Sequence, residues 1–169
     1  VYLKYLPGFS DSLRKFGMRN VEKQIRERIL EVCERDYDSY NVVCLEEPPE
    51  EYEDYVTLEI GGRDPNGGGF FGLDNSKGVD RGNLRLNEVV GGRRATDEDA
   101  DRFMYGGVFV ESFLAFSPTV GQSIPIESKK FDEIFSPFMP KLDGRPVQTD
   151  EYPSGSRVSK IDRAIRVLG

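Results

Sequence analysis

Apolar positions along the chain recur with the period of a strand in some segments and of a helix in others. Val56, Leu58 and Ile60 alternate with Thr57 and Glu59, which predicts a half-buried strand ended by Gly61-Gly62. Val1 to Leu6 reads as a first strand stopped by Pro7-Gly8, and Ser10 to Asn20 is mixed, with Gly17 in its middle. From Val21 the period lengthens. Val21, Ile25, Ile29 and Val32 share one face, with Glu22, Lys23, Arg26, Glu27 and Glu31 opposite, so a helix is expected with Asn20 as its N-cap. Arg35 to Tyr40 reads as a turn, and Asn41 to Leu45 as a second strand. Strand, helix, strand is a crossover unit, which makes the first two strands parallel.

Beyond the strand at residues 55–60 comes a long loop, Arg63 to Asn83, rich in Gly, Asp and Asn and carrying Phe70-Phe71. A loop of this length in a compact domain is usually functional or disordered, and the paired Phe residues argue that it packs down. Leu84 and Leu86 alternate with Arg85 and Asn87, suggesting re-entry into the sheet. Thr96-Asp-Glu-Asp99 resembles a capping box and predicts a short helix to about Tyr105. Gly106-Gly107 breaks it, and Val108 to Phe116 is the most strand-like run of the chain. After a proline-punctuated stretch with a short apolar helix, Phe131 to Phe135, a final helix over Ser156 to Leu168 aligns Val158, Ile161, Ile165 and Leu168.

Composition narrows the chemistry. The 169 residues suffice for a single domain over 1–169 with a real core. A formal net charge of −7 argues against a nucleic-acid partner, because phosphate binding needs a basic face. No run approaches the ~18 apolar residues of a membrane span. Residues 46–59 hold Glu46, Glu47, Glu50, Glu51, Glu53, Asp54 and Glu59 with no basic side chain, the pattern of an exposed loop. With no Met at position 1 and no leader, the chain reads as a mature or excised piece, and the last helix as one cut near its start.

The chain contains no histidine, which removes Ser-His-Asp and Cys-His catalysis and any His-based zinc site built from it alone. Its two cysteines, Cys33 and Cys44, are either a disulfide pair in an oxidising compartment or two buried thiols. Asp64, Asn66, Asp74, Asn75 and Asp80, interleaved with glycines, suit the oxygen ligands of a calcium loop. They equally suit turns, in which Asp and Asn bond their own backbone.

The segments VYLKYL, RDYDSYNVV, VTLEIGG, FFGLDN, GGVFVESFLAF and IDRAIRVLG, in this order, resemble the N-terminal part of a zincin-like metallopeptidase domain of the metzincin kind. The resemblance implies an α/β (α+β) fold: a twisted, mixed sheet, mostly parallel with one antiparallel edge strand, backed by helices. It further implies an extracellular protein and an edge strand that pairs with extended substrate, matched here by Val108, Phe109, Val110, Glu111, Ser112 and Phe113. Zinc in such domains is held by a His-Glu-x-x-His segment on a helix, which is absent here, so no ligand carries over. The partner implied is a peptide or protein, or a second chain completing the domain. The alternative is a secreted, non-catalytic structural or interaction module on the same scaffold, stabilised by calcium.

Overall fold

The computed structural model describes residues 1–50, 55–76, 88–95, 103–121 and 127–169. The first strand, β1 (Tyr2–Tyr5), buries Leu3 and runs straight into helix α1 (Pro7–Lys15). Pro7 begins that helix, where its fixed φ and missing N–H cost nothing. The helix ends in a Schellman motif: Gly17 adopts φ +71°, its N–H donates to Arg14 O, and the Met18 N–H donates to Leu13 O. The expectation of a mixed segment over Ser10–Asn20 is therefore corrected. Phe9, Ser12, Leu13 and Phe16 form one buried face.

Helix α2 (Glu22–Tyr37) follows a single 3-10 turn, Arg19–Val21. Asn20 does not cap it; its amide donates to Val147 O at 2.9 Å, tying the turn to a distant segment. Glu22 instead receives Arg19 and Arg26 in the first turn. The helix continues through Arg35–Tyr37, which were expected as turn, and Ile25 on its inner face is fully buried. The strand expected at Asn41–Leu45 contracts to one parallel bridge, Tyr2 with Leu45. It is closed by Leu45 N–H to Val1 O and Leu3 N–H to Leu45 O, both 2.8 Å. Val43 stays exposed.

The central strand is β2 (Val56–Gly61), parallel to β1 through Tyr2–Thr57 to Tyr5–Ile60. Its other edge is shared. Strand β4 (Glu88–Val90) takes Val56–Leu58, and β7 (Gly107–Phe109) takes Ile60–Gly61, both parallel. Strand β3 (Gly72–Leu73) lies antiparallel against β7 and ends the order β1–β2–β7–β3. Strands β5 (Arg93–Ala95) and β6 (Phe103–Tyr105) form a separate antiparallel ribbon. The fold is thus mixed α/β with a mostly parallel sheet. Residues expected to end a helix, Phe103–Tyr105, are strand, while the proposed start Thr96–Asp99 and the alternation at Leu84 and Leu86 lie outside the described residues.

The run Val108–Phe116 is also corrected. It is strand only to Phe109, then a 3-10 helix over Val110–Phe116, and β7 lies inside the sheet order, so the antiparallel edge is β3. Helices α3 (Lys129–Phe135) and α4 (Val158–Leu168) complete the core. Phe16, Phe131 and Phe135 make edge and tilted ring contacts at 4.6–6.2 Å, and Ile161, Ala164 and Ile165 of α4 are buried among α2, α3 and the sheet-side cluster. Among the described residues no helix is long and apolar enough to cross a membrane.

Candidate functional site

The sheet changes neighbours at Glu59. Before it β2 faces β4; after it β2 faces β7. Two glycine pairs, 91–92 and 106–107, make the handover possible. A Cβ on Gly91 would meet the Glu59 side chain at 2.5 Å, and one on Gly107 would meet Glu59 O at 2.4 Å. Glu59 holds the junction from the other side. Its carboxylate accepts Lys4 Nζ from β1 and the Gly92 N–H, at 2.9 and 2.8 Å. That hydrogen bond, and then the charge of Glu59, raises the pKa of Lys4.

The carboxyl end of the parallel strands is where open α/β sheets bind ligands, and here it opens into a crevice of about 280 Å³. Gly62 sits against the first turn of α1, where a Cβ would come within 2.4 Å of Gly8 O. Glu111, just past β7, bonds Gly62 O through its N–H and pairs with Lys15 Nζ at 2.6 Å. Arg63, Glu111 and Ser112 supply the polar lining, and Leu114, Ala115 and Val120 the apolar wall. Glu111 was expected in a strand and stands instead in the 3-10 turn that follows β7. Its ion pair with Lys15 has no local signal, since the two are far apart in sequence.

The glycine-rich loop forms the crevice's other side, and its described Asp and Asn side chains, Asp64, Asn66, Asp74 and Asn75, each make hydrogen bonds. Asp64, buried, accepts the Asn66 N–H and Nδ2 on Oδ1 and the Phe70 N–H on Oδ2, at 2.8–3.0 Å. Asn66 exchanges two hydrogen bonds with the backbone of Tyr105. Asn75, buried, donates to Gly91, Gly92 and Met104 carbonyls and accepts the Gly91 N–H. Asp74 accepts the Ser76 N–H, in an Asx turn. Phe71 packs edge-on against Phe113 and tilted against Phe116, which anchors the loop to the core. Asp80 lies outside the described residues.

Of the residues expected to hold calcium, the four described ones, Asp64, Asn66, Asp74 and Asn75, make separate sets of hydrogen bonds. Asp64 and Asn66 meet each other, while Asn75 ties the loop to Gly91, Gly92 and Met104. Among the described residues no group of three or more His, Cys, Asp or Glu side chains forms a metal site, and the donors present fit neither a calcium cage nor a zinc tetrahedron. Calcium at millimolar concentration is expected to move the melting temperature by less than about 1 °C, since a ligand stabilises only through preference for the native state. A saturable rise that disappears in Asp74→Ala would show a cation held there.

Cys33 and Cys44 are both free thiols, Cys44 buried and Cys33 partly so. Comparison with known protein families, curated proteins and solved structures finds no match to this chain.

Proposed function

We propose that this chain is the N-terminal unit of an extracellular zincin-like peptidase domain, whose antiparallel edge strand receives an extended peptide. The observation that carries the reading is β3, a short antiparallel strand ending an otherwise parallel sheet order and built from the glycine-rich FFGLDN segment. A terminal strand offers main-chain donors and acceptors to an added peptide strand. The peptide then meets Phe71 to Leu73, in place of the Val108–Phe113 run. The burial of α4 against α2 supports the same reading, because an active-site helix in such a domain must be held rigidly in the core. The chain's own residues do not fit a zinc site, so the metal ligands of this reading lie on other residues of the domain.

Two measurements test it. The chain of 169 residues is expected to retain no stoichiometric zinc after dialysis and to leave casein intact, because it has no histidine. Bound zinc with chelator-sensitive cleavage would contradict this. In the parent gene, His-Glu-x-x-His is expected within about two helical turns past Gly169. A parent sequence that continues without it removes the peptidase reading and leaves a secreted, non-catalytic interaction module.

A further inference from the structure

We propose that the run from Tyr37 to Leu45 is a docking surface for an extended, lysine- or arginine-bearing segment of a protein partner. Five of the nine large apolar side chains exposed among the described residues fall within it: Tyr37, Tyr40, Val42, Val43 and Leu45. Tyr40 and Val43 are each 66% exposed. The backbone here is nonetheless folded. Tyr40 N–H and Val42 N–H donate to Tyr37 O and Tyr40 O, both at 2.8 Å, and the two tyrosine rings meet edge-on with centroids 6.2 Å apart. Single exposed apolar residues are ordinary, whereas a concentration of them with aromatic rings is the composition of an interface. The main chain points the same way. Val42-Val43 suits a strand, yet the run makes one bridge, at Leu45, and the Cys44 and Glu46 N–H groups have no backbone acceptor among the described residues. An added strand supplies such acceptors.

Charge decides what kind of partner fits. Glu34, Asp36, Asp38, Glu46, Glu47 and Glu50 flank the run, all exposed, against a single base, Arg35. Arg35 is held by Asp36, and the other five carboxylates make no ion pair among the described residues. The cations that share a cavity wall with Glu46 and Glu47 are already engaged: Arg19 and Arg26 by Glu22, and Lys23 by Glu27. A surface of this sign repels nucleic acid, anionic lipid and a second copy of itself, and it attracts a cationic segment. The tyrosine faces add to that preference, since aromatic rings attract ammonium and guanidinium groups. The surface is separate from the edge at β3, because β1, to which Leu45 bridges, stands at the opposite end of the sheet order. The inference therefore does not rest on the peptidase reading.

The probe is a short fluorescein-labelled peptide alternating Lys and Val, titrated into the 169-residue chain beside a counterpart with Glu in place of Lys. Saturable binding of the Lys peptide is expected, weakening as salt is raised, with none of the Glu peptide. Tyr40→Ser combined with Val43→Ser leaves the charge unchanged and should weaken binding by about tenfold or more, the effect of removing central apolar contacts. Glu46→Gln combined with Glu47→Gln should weaken it too and flatten its salt dependence. Val167→Ser, an exposed apolar position on α4, should leave it unchanged. In the wild-type chain, backbone amide resonances of residues 37–46 should shift on titration, a readout that survives a variant that folds poorly. No saturable binding, equal binding of the Glu peptide, or an unchanged affinity after Tyr40→Ser with Val43→Ser would each overturn the assignment. So would shifts confined to Phe71–Leu73, or a dimer of the chain that the same double substitution dissolves.

Discussion

Replacing Asn75 by alanine is expected to destabilise the chain by about 3 kcal/mol, since several backbone groups lose a buried side-chain partner at once. The side chain donates to three carbonyl oxygens, those of Gly91, Gly92 and Met104, and accepts the Gly91 N–H. It is nearly fully buried, so water cannot replace these bonds without opening the loop. Gly106 is shaped around it: a Cβ there would lie 1.9 Å from Asn75 Oδ1. Asn75→Asp should fare no better, because it keeps one acceptor while losing every donor and sets a carboxylate among carbonyl oxygens. Asp74→Ala, one residue away and exposed, should cost less than about 1 kcal/mol, the range of a surface change. Denaturant melts of the three variants decide the matter. An Asn75→Ala chain within about 1 kcal/mol of wild type would mean that the loop does not depend on this clamp.

The second large effect is expected at Gly107. Alanine there should cost about 3–5 kcal/mol, combining a disfavoured backbone conformation with a steric clash. Gly107 has φ +105°, and its missing Cβ leaves room for Glu59 O at 2.4 Å from where that atom would be. Because β7 binds β2 on one side and β3 on the other, displacing it loosens both contacts. The Phe109 N–H, bonded to Phe71 O at 2.8 Å, should then exchange with solvent far faster. Gly92→Ala is the control. It too has positive φ, +60°, but nothing lies within 4 Å of its Cβ position, so only about 1 kcal/mol of conformational cost is expected. Equal losses at the two positions would show that the contact with Glu59 does not matter.

Much of the helical framework was legible, and so were two strands, β1 and β2. Ile161 and Ile165 of α4, Val21 and Ile25 of the α2 face, and Ile60 of β2 are buried as their spacing predicts. Helix α1 was missed although both of its signals are local. Pro7 stands at its first position and Gly17 at its Schellman end, but the polar residues between them hid the burial of Phe9, Leu13 and Phe16. The strand-like run Val108–Phe116 misled for the opposite reason. Its aromatic residues suit a strand and a core equally, and the core claimed Phe113 and Phe116 through Phe71 and Phe131.

Local periodicity by itself determined the first strand, the strand at residues 55–60, the helices at α2 and α4, and the parallel relation of the first strand to its crossover partner, while the mostly parallel mixed sheet was expected from the family resemblance. The local features follow from period, turn chemistry and chain handedness, which act between residues close in sequence. Only the tertiary structure decided which strand forms the antiparallel edge, why β2 changes partner at Glu59, and what the loop's Asp and Asn side chains bind. Asn66 reaches Tyr105 and Asn75 reaches Met104 across separations of 39 and 29 residues. Side chains of the same type would serve a cation or a turn equally well, and what distinguishes these uses is which distant carbonyls and N–H groups the fold brings within hydrogen-bonding distance.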